Sequence, residues 1–208
     1  MRNLALGLLA AAAIAGPARA EKLVDAGKVL PFLDAYWKIP PAERNRFTMA
    51  YALRQEGRPL TAPVWLVTGT ERLRLPLSAE GRITRLPTAA QLAGAKIAVD
   101  LPEKAKVSVG LGIEPVLAPA AEMDAQTLAA ALTQAQSGAR KAAGVMRFAM
   151  PKLERLVFEG VPGGVVAYAD GRTAPLPVQK GNVVFAPKDH PGARTLRFPK
   201  APSRVQIG

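Results

Sequence analysis

The chain has 208 residues, a formal net charge of +12, one His and no Cys. Disulfide staples, thiolate metal sites and two-His metal centres are therefore excluded, and any remaining ligand set would suit only hard cations. The cationic balance favours anionic surroundings such as phosphate-bearing lipid, lipopolysaccharide or a polyanion, although a bias toward Ala, Arg, Pro and Gly accounts for it equally.

The N-terminus reads as an export signal. Met1-Arg2-Asn3 supplies positive charge, residues 4 to 16 form an apolar run, and Ala18-Arg19-Ala20 is an A-x-A cleavage site before Glu21. The run is shorter than the roughly 20 residues that span a bilayer, so a retained anchor is the weaker alternative. No Cys follows it, which closes the lipoprotein route. A periplasmic or secreted location is expected, with no transmembrane segment once the signal is removed.

Residues 23 to 38 are dense in apolar side chains and suggest a short helix starting near Pro31 and stopping before Pro40-Pro41. Tyr36 and Trp37 at its end fit core packing better than a carbohydrate platform. Phe47 to Leu53 alternates as a strand, and Pro63 to Val67 is a continuous apolar run, the pattern of a strand covered on both faces. Leu73, Leu75 and Leu77 oppose Arg72 and Arg74, and Pro76 places that strand at a sheet edge or bulge. Ile97, Val99 and Leu101 form the next inward row. The strand from Lys106 to Ile113 points Val107, Val109, Leu111 and Ile113 one way, and Ser108, Gly110 and Gly112 the other. That small-residue face suits close approach of another backbone, or marks a bulge.

Residues 115 to 121 read as a linker. Asp124 offers an N-cap for a helix running to Met150, where Pro151 stops it. Leu128, Leu132, Ala135, Ala139, Ala142, Met146 and Ala149 give that helix an apolar stripe, and Gly138 and Gly144 weaken it. Leu153 to Phe158 and Gly164 to Tyr168 are strands, and Asp170-Gly171 is a hairpin turn signal.

The stretch from Leu75 to Gly110 occurs twice. Leu75-Pro76-Leu77, Gly81, Ile83 and Pro87 are answered by Leu176-Pro177-Val178, Gly181, Val183 and Pro187. Gly94-Ala95-Lys96 is answered by Gly192-Ala193-Arg194, and Lys106-Val107-Ser108-Val109-Gly110 by Arg204-Val205-Gln206-Ile207-Gly208. The predicted fold is therefore α+β, in two tandem repeats over 21–116 and 117–208, each a helix followed by an antiparallel sheet of four or five strands.

Chemistry is sparse. His190 lies in a turn composition, and none of Ser78, Ser108, Ser137 and Ser203 sits in a G-x-S-x-G elbow. No phosphate-cradling glycine motif and no nucleic-acid-binding signature occurs, so no cofactor and no nucleic-acid partner are implied. Glu71, Glu80, Asp100, Glu103, Glu154, Glu159 and Asp170 fall in turns or at strand ends, and no spacing singles out a catalytic pair. Basic side chains are the candidate contacts for an anion or partner: Arg72, Arg74, Lys96, Lys106, Arg194, Arg197 and Arg204, with Arg82 and Arg85 on the same wet faces. A solvated strand face explains them too, and cations protect edge strands from pairing.

Ala149-Met150-Pro151 leading into Leu156-Val157-Phe158, with Leu75-Pro76-Leu77, Leu86-Pro87 and Ala95-Lys96-Ile97-Ala98-Val99, resembles an uncharacterised family of exported bacterial proteins classed as a domain of unknown function. The resemblance implies export and carries over no catalytic residue. The expectation is a non-catalytic binding or interaction protein of the envelope, whose partner is an envelope protein or an anionic polymer or lipid. The alternatives are a carboxylate-dependent envelope hydrolase and a peripheral binder of anionic lipid or lipopolysaccharide. A deep pocket with converging carboxylates is the observation that would favour the hydrolase.

Overall fold

The computed structural model describes residues 19–102, 105–143 and 152–208. In chain order the first elements are β1 (Arg19–Asp25), α1 (Ala26–Val29), α2 (Leu33–Lys38), β2 (Phe47–Gln55), β3 (Arg58–Pro59), β4 (Val64–Thr68), β5 (Glu71–Leu75), α3 (Ala89–Leu92), β6 (Lys96–Pro102) and β7 (Val107–Pro115). There follow β8 (Glu122–Asp124), α4 (Ala125–Ala143), β9 (Leu156–Glu159), β10 (Val165–Tyr168), β11 (Thr173–Pro175), β12 (Val178–Gln179), β13 (Asn182–Phe185), β14 (Ala193–Arg197) and β15 (Arg204–Ile207). The chain is α+β, with antiparallel pairing throughout these strands. No described helix is long and apolar enough to cross a membrane. Most of the export signal lies outside the described residues, as does the helix end expected at Met150.

The strands form three sheets, ordered β1-β6-β4-β5, β11-β10-β14-β8 and β12-β13-β9-β15-β7-β2-β3. The third corrects the expectation that each half closes its own single sheet. It takes β2, β3 and β7 from one side of the 116/117 boundary and β9, β12, β13 and β15 from the other. The reason is the pairing of β15 with both β7 and β9, which leaves neither half with a free central edge.

One face of this shared sheet is core. Phe47, Met49, Tyr51 and Leu53 of β2 continue through Val205 and Ile207 of β15 and Leu156 and Phe158 of β9, all buried. Helices cover it. Leu128, Leu132 and Ala135 of α4 are buried along the expected stripe, and Asp124 caps the helix, its Oδ1 accepting the Thr127 N–H at 2.6 Å. Gly138 has a packing reason: a Cβ there would stand 2.6 Å from the Phe47 ring, so the helix can lie this close only without one. On β7 the coverage is thinner than the alternation implies, and Val107 and Leu111 remain exposed.

Several local expectations shift. Residues 23–25 belong to β1, and α2 begins at Leu33, because Phe32 takes φ 65 and breaks the helical path after Pro31. The Tyr51 hydroxyl holds that turn, donating to the Pro31 carbonyl at 2.7 Å; burial pushes this phenol far above its ordinary pKa, so it stays a donor. Tyr36 is buried and Trp37 donates to the Pro87 carbonyl, while the Arg44 guanidinium lies over both rings, which is a packing role. β4 alternates buried and half-buried residues, because its outer side carries Trp65 and Val67 on an open sheet face. β5 is an edge strand ending just before Pro76, as its proline requires.

Candidate functional site

The other face of the shared sheet is built from small residues. Across β2 and β7 the register sets Thr48 opposite Glu114, Ala50 opposite Gly112, Ala52 opposite Gly110 and Arg54 opposite Ser108. Such a floor is shallow, and longer side chains from its borders fold over it. Gly112 is where this matters most. A Cβ there would stand 3.2 Å from the Arg204 Nη2 and 3.8 Å from the Gln206 Oε1, so its absence makes room for both side chains.

Arg82 enters from the opposite border. The chain at 81–83 docks on the edge of β2, with the Leu53 N–H donating to the Gly81 carbonyl at 2.8 Å and the Ile83 N–H to the Tyr51 carbonyl at 3.0 Å. Gly81 has φ +75, and a Cβ would lie 2.4 Å from the Leu53 oxygen, so only glycine fits. The docked segment delivers the Arg82 guanidinium to Glu114.

Glu114 thus receives two cations on the same carboxylate oxygen: Arg82, and the Arg204 Nε at 2.5 Å. Arg204 also approaches Glu159 at 3.8 Å, and the Gln206 amide donates to that carboxylate. The side chains of Arg82, Glu114 and Arg204 are each about four-fifths to three-quarters withdrawn from solvent, at 24%, 19% and 25% exposure. Around them opens a cleft of about 730 Å³. Its rim includes Glu80, whose carboxyl is held below its ordinary pKa first by a hydrogen bond from Ser78, then by its own backbone N–H and by Arg82. Arg54, Arg82 and Arg204 face Glu80, Glu114 and Glu159 in this lining, so a chain that is strongly cationic overall presents a charge-matched cleft.

Of the seven predicted contacts, only Arg204 lines this cleft. Arg72, Arg74 and Lys96 come together on the outer face of the first sheet, beside Trp65 and Val67, where Arg72 pairs with Glu21 and stacks over the Trp65 ring. Arg194 and Arg197 sit on β14 in the second sheet, and Arg197 reaches Glu122 at 3.6 Å. Lys106 is exposed just before β7, at the end away from Glu114. His190 is apart from the cleft; its Nδ1 lies 3.0 Å from the Tyr168 hydroxyl and its ring stacks on Phe185. Among the described residues no group of three or more His, Asp or Glu could hold a metal ion.

Glu114 is the site residue that sequence reasoning missed. Its partners are 32 and 90 residues away, so no local pattern announces it. Glu159 did carry a signal. Leu53-Arg54-Gln55-Glu56-Gly57-Arg58-Pro59 is answered by Leu156-Val157-Phe158-Glu159-Gly160-Val161-Pro162, and both glycines have positive φ, at 82 and 77. Comparison with protein-family models, curated proteins and solved structures finds no match to this chain.

Proposed function

We propose that the chain is an exported, non-catalytic binding module of the bacterial envelope whose ligand seat is the cleft on the open face of the shared sheet. The observation that carries this reading is the Arg82–Glu114–Arg204 cluster. A general acid or base must exchange a proton with substrate, and a carboxyl used as an acid is kept neutral by surroundings free of cations. Glu114 instead touches two guanidinium groups. Guanidinium N–H groups not spent on Glu114, together with carboxylate oxygens, offer interleaved donors and acceptors with no excess charge. Hydroxyl groups, which donate and accept at once, match that pattern, so an uncharged polyhydroxylated ligand such as an envelope glycan fragment suits the cleft.

The same reading takes the chain as two α+β units. In its support, the two smaller sheets run in corresponding order, β1-β6-β4-β5 and β8-β14-β10-β11. In both, the first strand ends in Asp-Ala at a helix start, Asp25-Ala26 and Asp124-Ala125. The likeness to exported proteins of unknown function belongs with this proposal.

Two alternatives have an observation each. The hydrolase draws on Glu80, Glu114 and Glu159 sharing one cleft, and the lipid binder on Arg72, Arg74 and Lys96 sharing one sheet face with Trp65. One titration separates all three: nuclear magnetic resonance of arginine Nε–H groups, with neutral envelope oligosaccharides and with phosphatidylglycerol vesicles. Oligosaccharide should shift Arg82 and Arg204 and lose its effect in Arg82→Ala. Vesicle binding that shifts Arg72 and Arg74 and fades with salt would favour the lipid reading. Cleavage of the sugar, abolished in Glu114→Gln, would establish the hydrolase instead.

A further inference from the structure

β15 joins the two wings of the shared sheet by its end alone. Its one ladder pair with β7 is Ile207 with Ile113, so Val107 to Leu111 run past the junction. Which backbone groups are left over follows from the other side of β7. Directly beyond the two ends of the β2–β7 ladder, the Glu56 N–H donates to the Lys106 carbonyl and the Val116 N–H to the Arg46 carbonyl. Hydrogen-bonded and open pairs alternate in an antiparallel ladder, so Ser108, Gly110 and Gly112 commit their groups to β2. Val107, Val109 and Leu111 turn theirs the other way, where no described residue pairs with them.

Exposed edges are ordinarily guarded by charge, proline or brevity. β3 is Arg58-Pro59, β5 carries Arg72 and Arg74, and β11 ends in Pro175. The stretch Val107-Ser108-Val109-Gly110-Leu111 has no such guard, and Val107 and Leu111 are 40% and 43% exposed. Beside it an apolar cavity of about 420 Å³ opens on the helix side, with Phe32, Met49, Leu111, Ile113, Ala139 and Ile207 in its walls and no charged side chain. We propose that this free edge docks an extended segment of a partner protein, which adds a strand beside β7 in line with β15 and seats one long apolar side chain in the cavity. Main-chain hydrogen bonds to Val107, Val109 and Leu111 supply attachment, and the cavity supplies selection. Paired residues send their side chains to the same face, so the residue opposite Leu111 points to the helix side, where the cavity is. The partner segment therefore alternates apolar and polar residues, with leucine, methionine or phenylalanine opposite Leu111. A second copy of this chain fits less well, because antiparallel pairing about Val109 sets Val107 opposite Leu111, and valine is too short to fill the space. The proposal is independent of what the Arg82–Glu114–Arg204 cleft binds.

Hydrogen exchange of single amides, followed by nuclear magnetic resonance, tests it. In the protein alone, the amides of Val107, Val109 and Leu111 should exchange at least about 100-fold faster than those of Ser108, Gly110 and Gly112. A capped peptide alternating leucine with threonine between terminal lysines should slow the three fast amides at least about tenfold at saturation. It should also shift the methyl resonances of Leu111 and Ile113. The same peptide N-methylated on its leucines lacks the facing donors and should bind at least about tenfold more weakly. Leu111→Lys, which keeps the backbone and guards the edge with charge, should weaken the unmethylated peptide to a similar degree. Slow exchange of all three amides in the protein alone, unchanged by dilution, would overturn the proposal, since the edge would then be paired within the chain. Protection lost on dilution would overturn it in favour of a second copy. Failure of the peptide to protect these amides at millimolar concentration, or equal binding of the methylated peptide, would overturn strand addition.

Discussion

The two faces of the shared sheet are made from the same strands and do opposite work. On the helix side, alternate residues are large and apolar, and α4 presses on them so closely that Gly138 has no room for a methyl group. On the open side, the intervening residues are Ala50, Ala52, Gly110 and Gly112, and the space is taken by movable ends of Arg and Gln side chains. A close-packed face transmits any change in volume into strain or a cavity. A face bordered by flexible side chains absorbs it, and that freedom is what a binding surface needs. The same sheet thereby fixes the fold with one side and leaves the other adjustable.

Four substitutions probe the contrast, in descending order of expected effect. Phe158→Ala, on the helix side and fully buried, should cost about 3–5 kcal/mol in urea denaturation. A loss below about 1 kcal/mol would mean that this face is not close-packed.

Gly138→Ala should cost up to about 2 kcal/mol by the same measurement. Overpacking against Phe47, worth about 1–3 kcal/mol, outweighs a helix-propensity gain of about 1 kcal/mol.

Asp124→Ala should cost about 1 kcal/mol at neutral pH through loss of the α4 cap. The Asp124 carboxyl is held below its ordinary pKa first by hydrogen bonding to Thr127, with smaller help from Arg194. A carboxylate with a lowered folded pKa stabilises above its unfolded pKa of about 3.9 and loses that contribution as pH falls through the lower folded value. The gap between Asp124→Ala and the parent should therefore close below about pH 4, which denaturation across a pH series would measure.

Gly112→Ala on the open face should change stability by less than about 0.5 kcal/mol, since its new methyl crowds only the far end of Arg204 and meets Gln206 and Ala50 at ordinary contact distance. It should nevertheless displace that guanidinium, read as a shift of the Arg204 Nε–H resonance. A loss as large as that of Gly138→Ala would erase the distinction between the faces.

Local rules found much of the fold and little of the site. The period of two in β2, the stripe of Leu128, Leu132 and Ala135, the Asp124 cap and the edge position set by Pro76 are each decided within a few residues. The joining of β7 to β15 is not, because it pairs Ile113 with Ile207 across most of a hundred residues and leaves no local trace. Phe32 broke the expected helix for a tertiary reason, the Tyr51 hydroxyl holding the Pro31 carbonyl. The basic residues were recognised as a class, yet chain position could not tell Arg204, which folds over Gly112, from Arg194 and Arg197, which stand on another sheet. Arg82 joined it only because Gly81 lets its segment dock on β2.

β15 is the last strand in chain order, and it lies between β7 and β9. Until it inserts, two wings of the sheet, β3-β2-β7 and β12-β13-β9, can form by nearer pairings but have no common border. Long-range pairing of this kind is slow relative to local contacts. The Arg204 side of the cleft comes into being only at that closing step. Recovery of the Arg204 resonance during refolding would therefore act as a clock for completion of the whole molecule, trailing the signals of α4 and of either wing.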